Sequence, residues 1–389
     1  MVGYLIDIIK SVLNQKKFEP DETFEKIYFE KLYAFSKMHH LAAFVACCPA
    51  ALEKMPAEIR QKFRYEMNIN IAKETAQTVQ IGAFLGKMEQ AGLRAMPLKG
   101  YFLKNLYPVP ALRYMTDTDI LVDEEKLDEI RSIMESLGFR YDHETGHEVI
   151  FMSPKLVVEL HKMLIPEHKS RLCEYYYDGW CRAVKQEGKN FIYGFSKEDL
   201  YIYTIGHIAK HYSDGGIGIT HVIDVFLQNK QELDWEYIKT ELRKLGIESF
   251  HKIITTVANM WFSEEAVQHS DDAVEMARFI LSSGSFGNDT NRTSAKLNRS
   301  AEAAGKDDAS RIGVVLKLIF PSVNHIKLLY PSVRKCILLY PICVVARIFK
   351  IFFFRRKEIG KLSTVMNTNK DDMDFFKNHC EKMGLSKDL

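Results

Sequence analysis

The chain has 389 residues, 47% of them hydrophobic and 27% charged, with a formal net charge of +2. That is enough apolar material for two or three packed domains, and the near balance of charge excludes a global bias toward nucleic acid or acidic partners. Its seven cysteines are scattered without a Cys-x-x-Cys pair, which argues against a zinc ribbon or a disulfide framework and suits a reducing cytoplasm. The opening Met1-Val2-Gly3-Tyr4-Leu5-Ile6-Asp7 lacks the basic start and long apolar run of a secretory signal.

The first ninety residues read as helical. Phe24 to Val45 carries apolar residues at three- and four-residue spacing behind the start signal Glu19-Pro20-Asp21-Glu22. Ala57 to Gln90 is a long pattern without internal proline, stopped at Gly92, and such a helix spans roughly 50 Å. The pattern changes at Leu93. Leu93 to Leu98 reads as a short strand, Lys99-Gly100 as a turn, and Tyr101 to Leu106 as one or two helical turns. A strand through Asp119 follows, then a helix from Glu124 to Leu137 closed by Gly138. Further strands are expected near Phe139–Tyr141, Glu148–Met152 and Val157–His161, giving a small α+β unit.

Helical patterns resume with Glu198 to His211, Gly218 to Leu227, Trp235 to Leu245 and Ser249 to Phe262. Ser282 to Arg311 is rich in Ser, Gly, Asn, Asp and Lys and reads as a long loop or lid. Cys336 to Phe354 is almost wholly apolar, but Pro341, Arg347 and Lys350 interrupt it. A buried helical element is expected there; a membrane-surface helix stays open, and a span is disfavoured by the charges. The partition expected is a helical region over 1–92, an α+β core over 93–195 and a helical domain over 196–281. A polar loop or lid over 282–311 and a C-terminal helical block with a polar tail over 312–389 complete it.

The most informative stretch is Thr116-Asp117-Thr118-Asp119-Ile120-Leu121-Val122. On a strand, residues two apart share a face, so Asp117 and Asp119 would present adjacent carboxylates. Such a pair repels unless a cation lies between, and hard oxygen ligands favour Mg²⁺ or Mn²⁺. Repulsion also predicts that Asp119→Asn holds or raises stability. Asp372-Met373-Asp374 has the same spelling in a polar tail with no strand behind it, and serves as an internal control.

Glu159, in Val157-Val158-Glu159-Leu160-His161, lies between apolar neighbours, where an unpaired charge is expensive. His161 shares its face as a core residue or a substrate contact. At the Lys99-Gly100 turn, glycine permits close backbone approach and Lys99 adds a point charge suited to phosphate. Arg113 is placed to meet a phosphate or to tie down the acids. Farther on, His207 and His211 lie one helical turn apart beside Lys210. Ile208 stands where a zincin would need Glu, so a zinc reading fails. Asp224 reads as an ion pair or cap between helices.

Taken together, these features resemble the nucleotidyltransferase superfamily with the polymerase-beta-like core, and within it the bacterial group of uncharacterised nucleotidyltransferase family proteins. The likeness rests on Leu98-Lys99-Gly100, Tyr107-Pro108, Arg113 with Asp117 to Val122, Gly138-Phe139 and Val158 to His161. It continues through Lys210-His211, Ile223-Asp224, Asp234-Trp235, Phe320-Pro321, Tyr330-Pro331 and Pro341 to Arg347. Tyr101 stands where the superfamily usually has a second Gly or Ser, and the acid pair lies farther from the turn than is common.

The resemblance implies an α+β fold with a small mixed β-sheet core flanked by helical regions. It implies an Mg²⁺- or Mn²⁺-dependent transferase moving NMP from an NTP to an acceptor. Asp117, Asp119 and Glu159 would be the catalytic metal ligands, with Lys99, Gly100, Arg113, Lys210 and His211 around the nucleotide. The acceptor stays open among a small molecule, a glycan precursor, a protein and an RNA end. A toxin-like transferase modifying tRNA or protein is one alternative. Another is a non-catalytic NTP-binding adaptor with peripheral membrane contact through the C-terminal block.

Overall fold

The structure, a computed structural model, describes residues 1–165, 170–284, 287–303, 340–345, 364 and 367–386. The chain opens with helices α1 (Val2–Leu13), α2 (Phe29–Met38), α3 (Ala42–Ala46), α4 (Pro49–Glu53) and the 35-residue α5 (Ala57–Ala91). The helical pattern read over Phe24 to Val45 is divided into a 3-10 turn, α2 and α3. The break falls where His40 takes φ 57°, a left-handed conformation that no helix interior accepts. Gly92, at φ 69°, ends α5 as its sequence position requires.

Strands β1 (Ala95–Pro97), β2 (Asp117–Val122), β3 (Arg140–Glu144), β4 (Glu148–Met152) and β5 (Val157–His161) form one sheet in the order β1-β2-β5-β4-β3. Helix α6 (Gly100–Leu103) separates β1 from β2, and α7 (Leu127–Ser136) separates β2 from β3. Chain order places β5 last, yet it inserts between β2 and β4. It pairs parallel to β2 and antiparallel to β4, so the two acid-bearing strands are central neighbours. One sheet face is apolar: Ile120, Val122, Val158, Leu160 and Phe151 pack with Ile81, Phe84 and Met88 from the last third of α5. The period of two along β2 and β5 leaves Asp117, Asp119, Glu159 and His161 on the other face.

Helices α8 (Arg171–Tyr175), α9 (Lys197–Ser213), α10 (Ile219–Asn229), α11 (Trp235–Leu245), α12 (Glu248–Phe262) and α13 (Asp271–Ser283) follow. Their apolar faces share one large core with α1 to α4 and the first third of α5. A helix α14 (Asp289–Ala303) lies within the stretch expected to be a polar loop or lid, and corrects that expectation. It buries Ala295 and Leu297 and packs on α15 (Lys370–Lys382), whose Met373 carbonyl accepts from Asn298 Nδ2 at 3.0 Å.

α15 likewise stands where a polar tail was expected. Asn369 caps it, Asp372 bonds back to the Asn369 N–H at 3.0 Å, and Met373, Phe376 and Cys380 are buried. The control pair Asp372/Asp374 therefore sits in a capped helical turn, where residues two apart do not face each other. His379 of α15 meets Tyr212 of α9 (Nε2 to Oη 2.7 Å) and Glu275 of α13 (Nδ1 to Oε1 2.9 Å). No helix among the described residues is long and apolar enough to cross a membrane. The helical element expected over Cys336 to Phe354 lies outside the described residues, except for 340–345.

Candidate active site

A cleft of about 310 Å³ opens where the polar sheet face meets α9 and α10. Register pairs Asp119 with Glu159 directly across β2 and β5, and Asp117 stands two residues along the same face. All three carboxylates line the cleft. So do Lys99, Gly100, Arg113, Lys210 and His211, the other residues singled out in the sequence.

Lys99 joins the two halves of the cleft. Its Nζ lies 2.9 Å from Asp119 Oδ2 and 2.7 Å from His207 Nε2. A lysine only donates, so the His207 nitrogen accepts. Lys99 holds φ 34° and ψ −104°, an uncommon conformation for a residue with a side chain. Burial opposes its charge, but the facing Asp119 carboxylate more than compensates and raises its pKa. Asp119 answers in kind: burial pushes its carboxyl up, yet Lys99 and His161 together hold it well below the usual carboxylate range.

Asp117 lacks such partners. Burial, then the charges of Asp119 and Glu159, push its carboxyl up to about 6. His161 Nε2 stands 3.4 Å from Asp119 Oδ1 and 3.7 Å from Glu159 Oε2. Burial disfavours its charge, but hydrogen bonds to those two acids raise it to about 9. Ligand atoms of Asp119, Glu159 and His161 all lie within 4.8 Å of one another. The group able to hold a cation thus includes a histidine that the sequence left between a core and a contact role.

Two expectations shift in detail. The helix after Lys99-Gly100 has only four residues before a 3-10 turn, too short to present a useful dipole to phosphate. Charge at that end of the cleft comes from side chains instead. Arg113 does not tie down the acid pair: it forks onto Asp224, Nε to Oδ1 at 2.9 Å and Nη2 to Oδ2 at 2.7 Å. Tyr107 donates to the same Oδ1 at 2.7 Å, so Asp224 forms an ion pair as expected, but one that ties α10 to the segment between β1 and β2 and not to another helix.

Gly100 is required by this clamp, because a Cβ there would collide with Arg113 Nη1 and Met115 Sδ. Arg113 is held at both ends of its fork and cannot yield cheaply. Gly100→Ala is expected to cost about 1–3 kcal/mol in urea unfolding, the usual range for forced overpacking. An unchanged midpoint would show that the clamp is looser than its geometry.

On the helical wall, His211 Nε2 lies 2.9 Å from His207 Nε2. Burial, then the nearby cationic side chains, keep both imidazoles neutral, with His211 pushed down to about 3. Burial also lowers Lys210. His40, Tyr114, His147, Glu148 and His221 line the cleft too, and the sequence reading missed them. His221 had a readable signal, the glycine-rich turn Gly215-Gly216-Ile217-Gly218 running into α10. Glu148 had none short of the register, which sets it opposite His161.

No curated protein matches this chain. The solution structure of the antibiotic-resistance factor ANT(2'')-Ia matches 43% of this chain and 89% of its own, at 15% identity and a TM-score of 0.33, a likeness too low to argue from. A family model described as an uncharacterised nucleotidyltransferase matches residues 25–263, which takes in every cleft residue named above. That match spans more than half of the sequence, and the chain belongs to this nucleotidyltransferase family.

Proposed function

We propose that the protein moves a nucleoside monophosphate from an NTP to a hydroxyl, or a phosphate, of an acceptor. The observation that carries this reading is the register pairing of Asp119 with Glu159, on the face that also bears Asp117, within one cleft. This oxygen-rich donor set, with His161 at its edge, suits Mg²⁺ or Mn²⁺ better than a thiophilic metal. Bound by Asp117, Asp119 and Glu159, two such ions would neutralise triphosphate charge and acidify the attacking hydroxyl.

The chain's own residues do the positioning. Lys99 and Lys210 bring positive charge to the phosphates, and His211 stands beside them on the same wall, its one N–H turned to the His207 nitrogen. Gly100 keeps the turn thin, while the Arg113–Asp224 clamp fixes the segment leading into Asp117. The acceptor oxygen attacks the α-phosphorus in line, the bond to the β-phosphate breaks, and pyrophosphate departs.

The test is incubation with each α-labelled NTP and Mg²⁺ in cell lysate, following both pyrophosphate and label. Labelled material with stoichiometric pyrophosphate is expected, and its nature separates tRNA or protein acceptors from small molecules and glycan precursors. NTP binding without pyrophosphate release would favour the adaptor alternative and sink catalysis.

A further inference from the structure

Along the wall of the cleft, the rings of His40 and Tyr114 stack at 4.5 Å between centroids with only 5° between their planes. Lys73 of α5 places its ammonium 4.3 Å from the Tyr114 ring centre and 3.2 Å from the Tyr114 hydroxyl. Both rings are half-buried and line the cleft.

His40 reaches this position through backbone strain. It is one of three described non-glycine residues with positive φ, at 57°, in the corner between α2 and α3. Strain of this kind persists where surrounding structure enforces it and clusters at ligand sites. Burial and the Lys73 ammonium lower the His40 pKa, so the ring is a neutral imidazole at neutral pH.

Nothing in the carboxylate and lysine chemistry uses these rings, and His40 comes from a different part of the chain. Tyr114 precedes Asp117 by three residues, which at full extension span about 10 Å at most. The stack is thus within a nucleotide's length of the acids.

We infer that the His40–Tyr114 stack is the nucleobase subsite of the cleft, a π platform that holds the planar base of the NTP. The inference rests on the nucleotidyl-transfer reading for the presence of an NTP. Stacking accepts any base face, so the platform selects nucleotides over bare polyphosphate without choosing strongly among bases. The alternative role for the same rings is packing that ties α2 and α3 to the core, which would not distinguish nucleotide from polyphosphate.

The discriminating experiment is isothermal titration calorimetry of the full chain with the Mg²⁺ complexes of ATP, GTP, CTP, UTP and inorganic tripolyphosphate. Tyr114→Ala is expected to weaken all four nucleotides about tenfold or more. Tripolyphosphate should stay within about twofold of wild type, and Tyr114→Phe, which keeps the ring, should bind nucleotides like wild type. His40→Asn tolerates the left-handed backbone while removing the ring, and serves where Tyr114→Ala does not fold; a loss confined to nucleotides is again expected.

Equal losses for nucleotides and tripolyphosphate, or no loss for either, would overturn the subsite while leaving nucleotidyl transfer standing. Wild-type protein that binds no NTP would overturn both. A loss seen only in acceptor labelling, with NTP affinity unchanged, would assign the stack to the acceptor and overturn the inference.

Discussion

Asp119→Asn is expected to lower nucleotidyl transfer by at least about a hundred- to a thousandfold, the usual cost of deleting one preorganised polar group at a reacting centre. Its carboxylate is the shared partner of Lys99 and His161, and lies in register with Glu159. The neutral amide also strands the mostly buried Lys99 ammonium, a loss of about 1–3 kcal/mol. Asp117→Asn should silence transfer as well, but with the opposite effect on folding. The Asp117 carboxyl is pushed up to about 6, so above that pH the folded state carries an anion that it disfavours. The amide removes that penalty, and metal-free Asp117→Asn should melt at or above wild type at pH 7. The advantage should fade as pH falls through 6 toward the ordinary carboxylate value, where both states bind the proton. Melting curves in EDTA at pH 4.5 and 7 check the sign; transfer assays in Mg²⁺ check the loss. A fully active Asp119→Asn enzyme would end the carboxylate mechanism.

Asp224→Ala is expected to produce the largest loss of stability, about 3–5 kcal/mol, because it leaves the Arg113 guanidinium buried without a counter-charge. Asp224 is 2% exposed and accepts from Arg113 twice and Tyr107 once, so no water can replace it cheaply. The double variant Arg113→Met with Asp224→Leu should recover most of that stability, since an apolar pair of similar bulk escapes the desolvation cost. Transfer should stay low in the double variant, because the clamp also fixes the approach to Asp117. Urea unfolding of the three proteins measures the cycle. If the double variant is no more stable than Asp224→Ala, the loss is one of packing and not of stranded charge.

The acid pair, the third acid and their strands were legible because a period of two with apolar flanks fixes both the strand and the face. The register of Asp119 against Glu159 was not, since it depends on β5 entering the sheet out of chain order. Repulsion between the acids was readable, but its relief at Asp119 was not. The long lysine side chain specifies reach and not direction, and nothing near position 99 says that it turns onto Asp119. The repulsion argument therefore holds for Asp117 alone.

Arg113 and Asp224 are 111 residues apart, a separation across which local pattern is silent. Helix α14 was hidden by composition. Its Ser, Thr, Asn and Lys residues read as loop, while much of the helix's stability comes from packing on α15. His40 and Tyr114 gave no signal because a stack between rings far apart in sequence has no local spelling.

The docking of α15 bears on the order in which the molecule is made. Tyr212, one residue after His211, shares its hydroxyl with His379, more than a hundred residues downstream. While a ribosome is still adding that stretch, the back of the histidine-bearing helix lacks its partner. Nascent chains would then pass through an interval in which the strands and their acids are already made, yet one wall of the cleft is not yet braced.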